Sequence, residues 1–334
     1  MLENARRRSW PHLGRWLLAL GAGIFIPGGA QAAAIIAPAF AADYTITDLG
    51  PVSGVPNAYG GLVFQSGGTG TILLGGNANE AGGGMYSVPV TRGLDGHITS
   101  VGAGTLVAPA PFNDGGWAYG PGGVLFLSQW PINGIAQYKP GSIPGAGPDK
   151  TQDVSPLGVA SSQAALQFVP STFGGAGEFK GLSWSGGEFY TFTIAADGTG
   201  TFDVTSATQE TTLGGGPEGF IYIKNTNPDF AVDSMLVSEF SAGNVAAYTL
   251  DADGNPIPGT RIDFITGLTD AEGAAVDPLT GDFLFSTFGT GEDHLFLVSG
   301  FVPPPPAVPE PSSLLLVAAG LAGIVGFVRR LRAR

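Results

Sequence analysis

The sequence predicts an all-β fold, a β-propeller of five four-stranded blades closed by the N-terminal strand of the folded region, with six blades as the alternative. Three observations lead there. From Tyr44 to Phe301 the chain runs as short alternating or apolar segments, separated by Gly, Asp-Gly, Asn and Pro turns, with no sustained 3.6-residue period. The segments repeat in units whose inner strands begin near Tyr59, Trp117, Leu166, Phe220 and Ala274, at steps of 58, 49, 54 and 54 residues. The fifth unit lacks a fourth strand, whereas a spare strand, Tyr44-Thr45-Ile46-Thr47-Asp48-Leu49, precedes the first. A ring that borrows its first strand to complete its last unit protects edges that an open array would expose.

Each unit is built in the same order. Second strands fall at Ile72–Leu74, Val124–Leu127, Gly181–Trp184, Met235–Ser238 and Phe283–Ser286. Third strands fall at Met85–Val90, Ile135–Tyr138, Phe189–Ile194, Val245–Leu250 and Leu295–Val298. More polar fourth strands fall at His97–Val101, Gln152–Leu157, Thr201–Val204 and Arg261–Ile265. The alternative of six blades would need a degenerate unit hidden in Gly141 to Asp153, where a full one has no room. A sandwich of about 20 strands would far exceed the usual seven to nine, and a β-helix would repeat at shorter, more regular steps. With 55 Gly and 26 Pro among 334 residues the chain approaches low-complexity composition, but 43% apolar and 10% aromatic residues are enough for a core. The absence of Cys excludes disulfides, thiolate metal sites and a Cys nucleophile.

The two ends carry addresses rather than fold. Arg6, Arg7, Arg8 and Arg15 precede an apolar stretch, Trp16 to Ile26, that is too short to span a bilayer. Two small-x-small sites follow, Ala30-Gln31-Ala32 and Ala39-Phe40-Ala41, so residues 1–41 read as a signal peptide cut after 32 or 41. Arg7-Arg8 is read as part of an ordinary basic n-region, since Pro11 and His12 interrupt a twin-arginine pattern. The propeller is expected over 42–301 and a Pro-rich linker over 302–313. Within that linker Pro303 to Pro306 forms an extended spacer, and Val308-Pro309-Glu310-Pro311 follows. An apolar helix, Leu314 to Val328, and a basic tail with Arg329, Arg330, Arg332 and Arg334 complete the chain. The helix would reach roughly 22 Å, short of a ~30 Å hydrocarbon core, and the arginines favour a cytoplasmic end.

A Pro-Glu-Pro motif, an apolar helix and an arginine cluster in that order resemble the PEP-CTERM sorting signal of Gram-negative bacteria. The resemblance implies export, a transient inner-membrane intermediate, cleavage near the motif by an exosortase, and release to the cell surface or extracellular matrix. A permanently tethered propeller is the competing expectation. The last two units resemble gluconolactonase- and NHL-type propellers, through Pro217-Glu218-Gly219-Phe220-Ile221-Tyr222 and Ala271-Glu272-Gly273-Ala274-Ala275-Val276 with the strands that follow. That resemblance speaks to fold and says little about activity.

Eight of the 14 basic residues belong to the two ends, which leaves six against 25 acidic residues in the folded part, a net charge near −19. Nucleic acid and anionic lipid are thereby excluded as partners, and cation binding is favoured. Glu218 and Glu272 hold matching places, each just before a Gly that opens an inner strand, with Asn57, Asp114 and Gln163 near the matching places in the other units. In a propeller these residues ring one mouth of the channel, and five oxygen-bearing side chains would suit Ca²⁺. As ordinary strand caps they would instead satisfy backbone at the mouth. The gluconolactonase resemblance implies a divalent metal held by Glu, Asn and Asp.

Asp251-Ala252-Asp253-Gly254-Asn255 fails the EF-hand pattern and reads as a hairpin turn. Asp277 to Asp282 is likewise a turn. His97 and His294 read as surface turn residues, with Glu292-Asp293 placed to orient His294. Trp117, Trp130, Trp184, Phe240 and Phe288 could line a sugar-binding face or pack in the blades. The expectation is an exported propeller acting as a non-catalytic binding or structural module of the cell surface or matrix, with exopolysaccharide as a candidate partner and a metal-dependent gluconolactonase-type hydrolase as the alternative.

Overall fold

The computed structural model describes residues 34–289, 291 and 293–303. The basic and apolar parts of the signal sequence, Glu292, the Val308–Pro311 motif, the apolar segment 314–328 and the terminal arginines lie outside the described residues. Among the described residues no helix is long and apolar enough to cross a membrane.

Two strands, β1 (Ile35–Ile36) and β2 (Thr45–Gly50), precede the first blade. Blade I contains β3 (Leu62–Phe64), β4 (Thr71–Gly76), β5 (Gly84–Arg92) and a split outer strand, β6 (Ile98–Val101) and β7 (Thr105–Pro109), both paired with β5. Blade II contains β8 (Asn113–Tyr119), β9 (Leu125–Gln129), β10 (Gly134–Tyr138) and β11 (Lys150–Asp153). Blade III contains β12 (Gln163–Phe168), β13 (Phe179–Ser183), β14 (Glu188–Ala196) and β15 (Phe202–Thr212). Blade IV contains β16 (Pro217–Ile223), β17 (Ser234–Glu239), β18 (Asn244–Thr249) and β19 (Ile262–Thr266). Blade V contains β20 (Ala271–Val276), β21 (Phe283–Thr287) and β22 (Leu295–Ser299).

The fifth blade is completed by β2, whose residues Thr45 to Asp48 pair antiparallel with Ser299 to Phe296. The ring therefore closes as the spare strand predicts, with five blades; Gly141 to Asp149 forms a loop leading to β11 and no sixth blade. Blade IV has an additional outer strand, because β1 pairs with β19 through Ile35–Thr266 and Ile36–Ile265.

Alternation explains the packing. Inward residues of neighbouring blades meet in five hydrophobic clusters among the described residues, one at each seam of the ring. The cluster between blades V and I joins Leu62, Ile72 and Val88 to Leu284, Leu295 and Leu297, so the closing seam is packed like the others. Outer strands depart most from the expected limits. β15 runs to Thr212 rather than Val204, because its exposed Thr- and Gln-rich face carries little apolar alternation. β11 ends at Asp153, where Pro156 withholds a backbone donor and Ser155–Leu157 turns into a 3₁₀ helix.

Candidate metal centre at the channel mouth

The five inner strands pack around the axis with almost no clearance, and glycines make this approach feasible. A Cβ on Gly219 would lie 2.5 Å from the carbonyl oxygen of Glu272, and one on Gly273 would lie 2.7 Å from the Cα of Gly61. Gly115 meets the Glu218 carbonyl and Gly116 the backbone of Ala165 and Leu166 in the same way. Each glycine thus abuts the inner strand of the next contributing blade.

The residues just before these glycines sit in β-bulges. The register of β16 on β17 slips between Pro217 and Gly219, that of β20 on β21 between Ala271 and Ala274, and that of β8 on β9 between Asn113 and Trp117. A bulge removes one residue from the alternation and re-aims its side chain. Here the re-aimed residues are Glu218, Glu272 and Asp114. Serines stitch two of these bulges to the next blade: Ser128 Oγ accepts from Gly116 N–H (2.8 Å) and donates to the Ala164 carbonyl (2.5 Å). Ser286 Oγ likewise accepts from Gly273 N–H (3.0 Å) and donates to the Gly60 carbonyl (2.7 Å).

As a result three carboxyl groups from three blades converge, each offering an oxygen within 4.8 Å of the others. All three are buried, and no Lys, Arg or His is paired with them among the described residues. One oxygen of each, Asp114 Oδ2, Glu218 Oε2 and Glu272 Oε1, has no hydrogen-bond partner. The Asn79 side-chain nitrogen, oriented to satisfy its neighbours, donates to Asp114 Oδ1 (3.2 Å).

Electrostatics makes this arrangement costly. Two unit charges 4.8 Å apart repel by about 3.5 kcal/mol at an effective dielectric of about 20. Burial pushes Asp114 up to about 7, against hydrogen bonds from Glu272, the Gly115 N–H and Asn79. Burial, then the Asp114 charge, raises Glu218 well above the carboxylate range. Burial, then the charges of Glu218 and Asp114, does the same to Glu272. The group can be relieved by protons or by a cation. Carboxylate oxygens without imidazole or thiolate suit a hard ion, which takes oxygen ligands.

Above the carboxylates lies a cavity of about 450 Å³ bordered by Glu218, Glu272, Asn77 and Asn79. Trp130, Trp184, Phe240 and Phe288 make an aromatic part of its wall, and Glu80, Ala58 and Ala78 complete the lining. Phe240 links the set, with its ring centroid 6.3 Å from Trp184 and 6.0 Å from Phe288.

The sequence-based candidates divide accordingly. Asp114, Glu218 and Glu272 come together. Asn57 does not join them: it is exposed and donates to the Gly291 carbonyl (2.7 Å). Tyr59, which precedes Gly60-Gly61 as Asp114 precedes Gly115-Gly116, holds the corresponding place in blade I. Gln163 is buried at the start of β12, with its amide nitrogen on the Ala165 carbonyl (2.5 Å). Trp117 leaves the expected aromatic face and packs in the core between blades I and II. Asn79 and the stitching serines were not anticipated, although an apolar-apolar-Ser ending recurs at Ser128, Ser238 and Ser286.

Neither His97 nor His294 lies at this mouth. His97 Nδ1 contacts Asp282 Oδ2 (2.6 Å) across the seam between blades I and V, beside the Arg92–Asp277 ion pair. His294 is held by Asp48 (2.8 Å) and not by its neighbour Asp293, whose carboxylate accepts from Ala58 N–H (2.6 Å). The Asp251 loop is a hairpin turn, with Asp251 Oδ1 accepting from the Asp253 and Asn255 amides.

The fold and site define a five-bladed propeller with a carboxylate-bearing, aromatic-walled channel mouth. Residues 307–330 match the PEP-CTERM protein-sorting motif. The chain therefore carries a sorting signal that implies export through a membrane-anchored intermediate, with exosortase recognition. No curated protein sequence matches the chain. Among solved structures, an iodide structure of Trichoderma reesei carbohydrate-active enzymes family AA12 is similar at TM-score 0.45 and 11% identity, covering 81% of this chain and 98% of that one. An auxiliary nutrient binding protein from Bacteroides ovatus is similar at TM-score 0.40 and 11% identity, covering 77% and 76%. A putative 6-phosphogluconolactonase from Bacteroides uniformis is similar at TM-score 0.37 and 16% identity, covering 71% and 66%. Likeness at this level carries nothing about ligand or activity.

Proposed function

We propose that the protein is an exported binding module that captures an extracellular ligand at the carboxylate-bearing mouth, with Ca²⁺ bound by Asp114, Glu218 and Glu272. The observation that supports it is the convergence of three buried carboxyl groups, each with an unpartnered oxygen. Leaving ionised groups buried and unpaired costs several kcal/mol each, whereas Ca²⁺ takes six to eight oxygens and accepts carboxylates in one- or two-oxygen contacts. Three carboxylates leave room for further oxygens from water or from a ligand in the cavity. Aromatic walls beside such an ion suit a saccharide, whose C–H faces pack on rings while its hydroxyls meet the ion. An exopolysaccharide of the surface or matrix is the ligand class we assign.

Metal-dependent hydrolysis of a lactone or ester is the second reading, favoured by the same convergence beneath an open cavity. A lactone and ester screen of the Ca²⁺-loaded protein separates the two. We further propose that the tail beyond the Pro-Glu-Pro motif is removed and the propeller released; intact mass of the mature protein distinguishes release from permanent tethering.

The test of the ion is a thermal melt with Ca²⁺ and with a chelator. An ion at about 100 times its Kd adds roughly 2.7 kcal/mol, a rise in Tm of roughly 5 °C for a domain of this size. Glu218→Gln with Glu272→Gln is expected to abolish the rise. No Ca²⁺ response in the parent protein would overturn the proposal and leave the carboxyl groups as strand caps.

A further inference from the structure

Described residues that follow the first small-x-small site, from β1 through Phe40, are built into the propeller. β1 extends the outer edge of blade IV, and Ala37 N–H donates to the Phe264 carbonyl (2.9 Å). The chain then turns, with the Phe40 carbonyl accepting from the Asp43 and Tyr44 amides. Phe40 is only 1% exposed. Its ring lies 4.9 Å from Phe264, 5.4 Å from Phe230 and 6.2 Å from Tyr44, centroid to centroid. These rings belong to the cluster between blades IV and V.

We infer that signal peptidase cuts at Ala30-Gln31-Ala32, so that the mature protein begins at Ala33 and keeps residues 34–41 as a clasp on blade IV. This rests on export, and adds which bond is broken. Water hydrolyses the Ala32–Ala33 amide, leaving a carboxylate on Ala32 and an amine on Ala33. A cut after Ala41 would instead remove β1, Ala37 and Phe40 together. It would bare the β19 edge, which is a template for unwanted strand pairing, and uncover Phe264 and Phe230. Distance from the membrane agrees. Ala32 lies six residues past Ile26, the end of the apolar stretch, whereas Ala41 lies fifteen past it. A membrane-embedded h-region presents the nearer bond to a peptidase at the surface.

The experiment expresses the full chain in a bacterial host and sequences the N-terminus of the exported protein. Ala33 is the expected first residue, and any other first residue overturns the assignment. An uncut precursor would tell against export itself, whereas a start at Ala42 would tell against this inference alone. Paired variants test the clasp. Phe40→Ala is expected to lower the Tm of the exported protein by on the order of 5–10 °C, as for loss of a buried ring. Phe40→Leu, which keeps most of the volume and should fold in any case, is expected to lose less than half as much. A Tm unchanged in both variants overturns the clasp role.

Discussion

Replacing Gly219 with Ala ties the fold to the site. The added methyl would sit 2.5 Å from the Glu272 carbonyl oxygen and 2.8 Å from the Ala274 nitrogen. Ordinary contact begins near 3.4 Å, so two neighbouring backbones must part by nearly 1 Å. Overpacking of a core by flexible side chains costs about 1–3 kcal/mol. Here the obstructing atoms are backbone held in a bulge, so the upper end, about 3 kcal/mol, is expected. For a domain of this size that is a fall in Tm of roughly 6–10 °C. Because the methyl wedges between the bulges that carry Glu218 and Glu272, the Ca²⁺-dependent rise should shrink as well. Gly214→Ala is the control: no atom lies within 4 Å of the place its methyl would take, and its φ is not positive, so its Tm should be unchanged or slightly higher. Differential scanning calorimetry of both variants, with Ca²⁺ and with chelator, reads the effect. Equal melting of Gly219→Ala and Gly214→Ala would refute the close approach of inner strands on which the site depends.

Trp184→Ala with Trp130→Ala should weaken binding to an immobilised acidic or neutral polysaccharide at least tenfold, read by affinity electrophoresis, while leaving the Ca²⁺ shift in Tm intact. The seam between blades I and V should respond to pH. His97 faces Asp282, Asp277 and Asp95, with Arg92 bonded to the adjacent Gly96 carbonyl, and its pKa is raised above 6.5 chiefly by the hydrogen bond to Asp282, with burial opposing. The charged form is favoured in the folded state, so its contribution is fully present below about pH 6.5 and is lost as pH rises through the higher folded value. Compared with His97→Gln, the parent protein should therefore be more stable at about pH 6 and lose that advantage progressively as pH is raised above it, measured by urea unfolding across the pH series. An advantage that grew with pH would contradict the assigned partner.

Much of this architecture was legible in the sequence, for physical reasons that can be named. Ring closure showed as a mismatch between a fifth unit one strand short and a strand left over at Tyr44 to Leu49, and β2 does pair with β22. Glu218 and Glu272 were legible because a carboxylate directly before a Gly is an unusual way to open a buried strand. Asp114-Gly115 repeats that signal, and the glycine contacts explain it. Asn57 was misplaced because β3 is only three residues long, which leaves little pattern from which to set the register of blade I. β1 was hidden among small apolar residues that resemble a cleavage region, since two residues of edge strand leave no alternation to detect. β7 escaped because Thr105–Pro109 ends in a proline, with Pro111 just beyond, which together read as a turn, although its residues still pair with β5. The aromatic wall was only partly legible. Trp130 and Trp184 reach the mouth while Trp117 faces the seam between blades I and II, on the far side of the bulge in β8 that resets the register just before it.

The most direct test of the central claim is terbium luminescence. Tb³⁺ occupies oxygen-rich Ca²⁺ sites, and Trp130 and Trp184 border the same cavity as Glu218 and Glu272, close enough to transfer excitation to an ion held there. Tryptophan-sensitised emission should rise to saturation at one ion per chain, fall on addition of Ca²⁺, and vanish in the Asp114→Asn, Glu218→Gln, Glu272→Gln triple variant. Absence of sensitised emission in the parent protein, or emission that persists in the triple variant, would contradict a metal centre at the channel mouth.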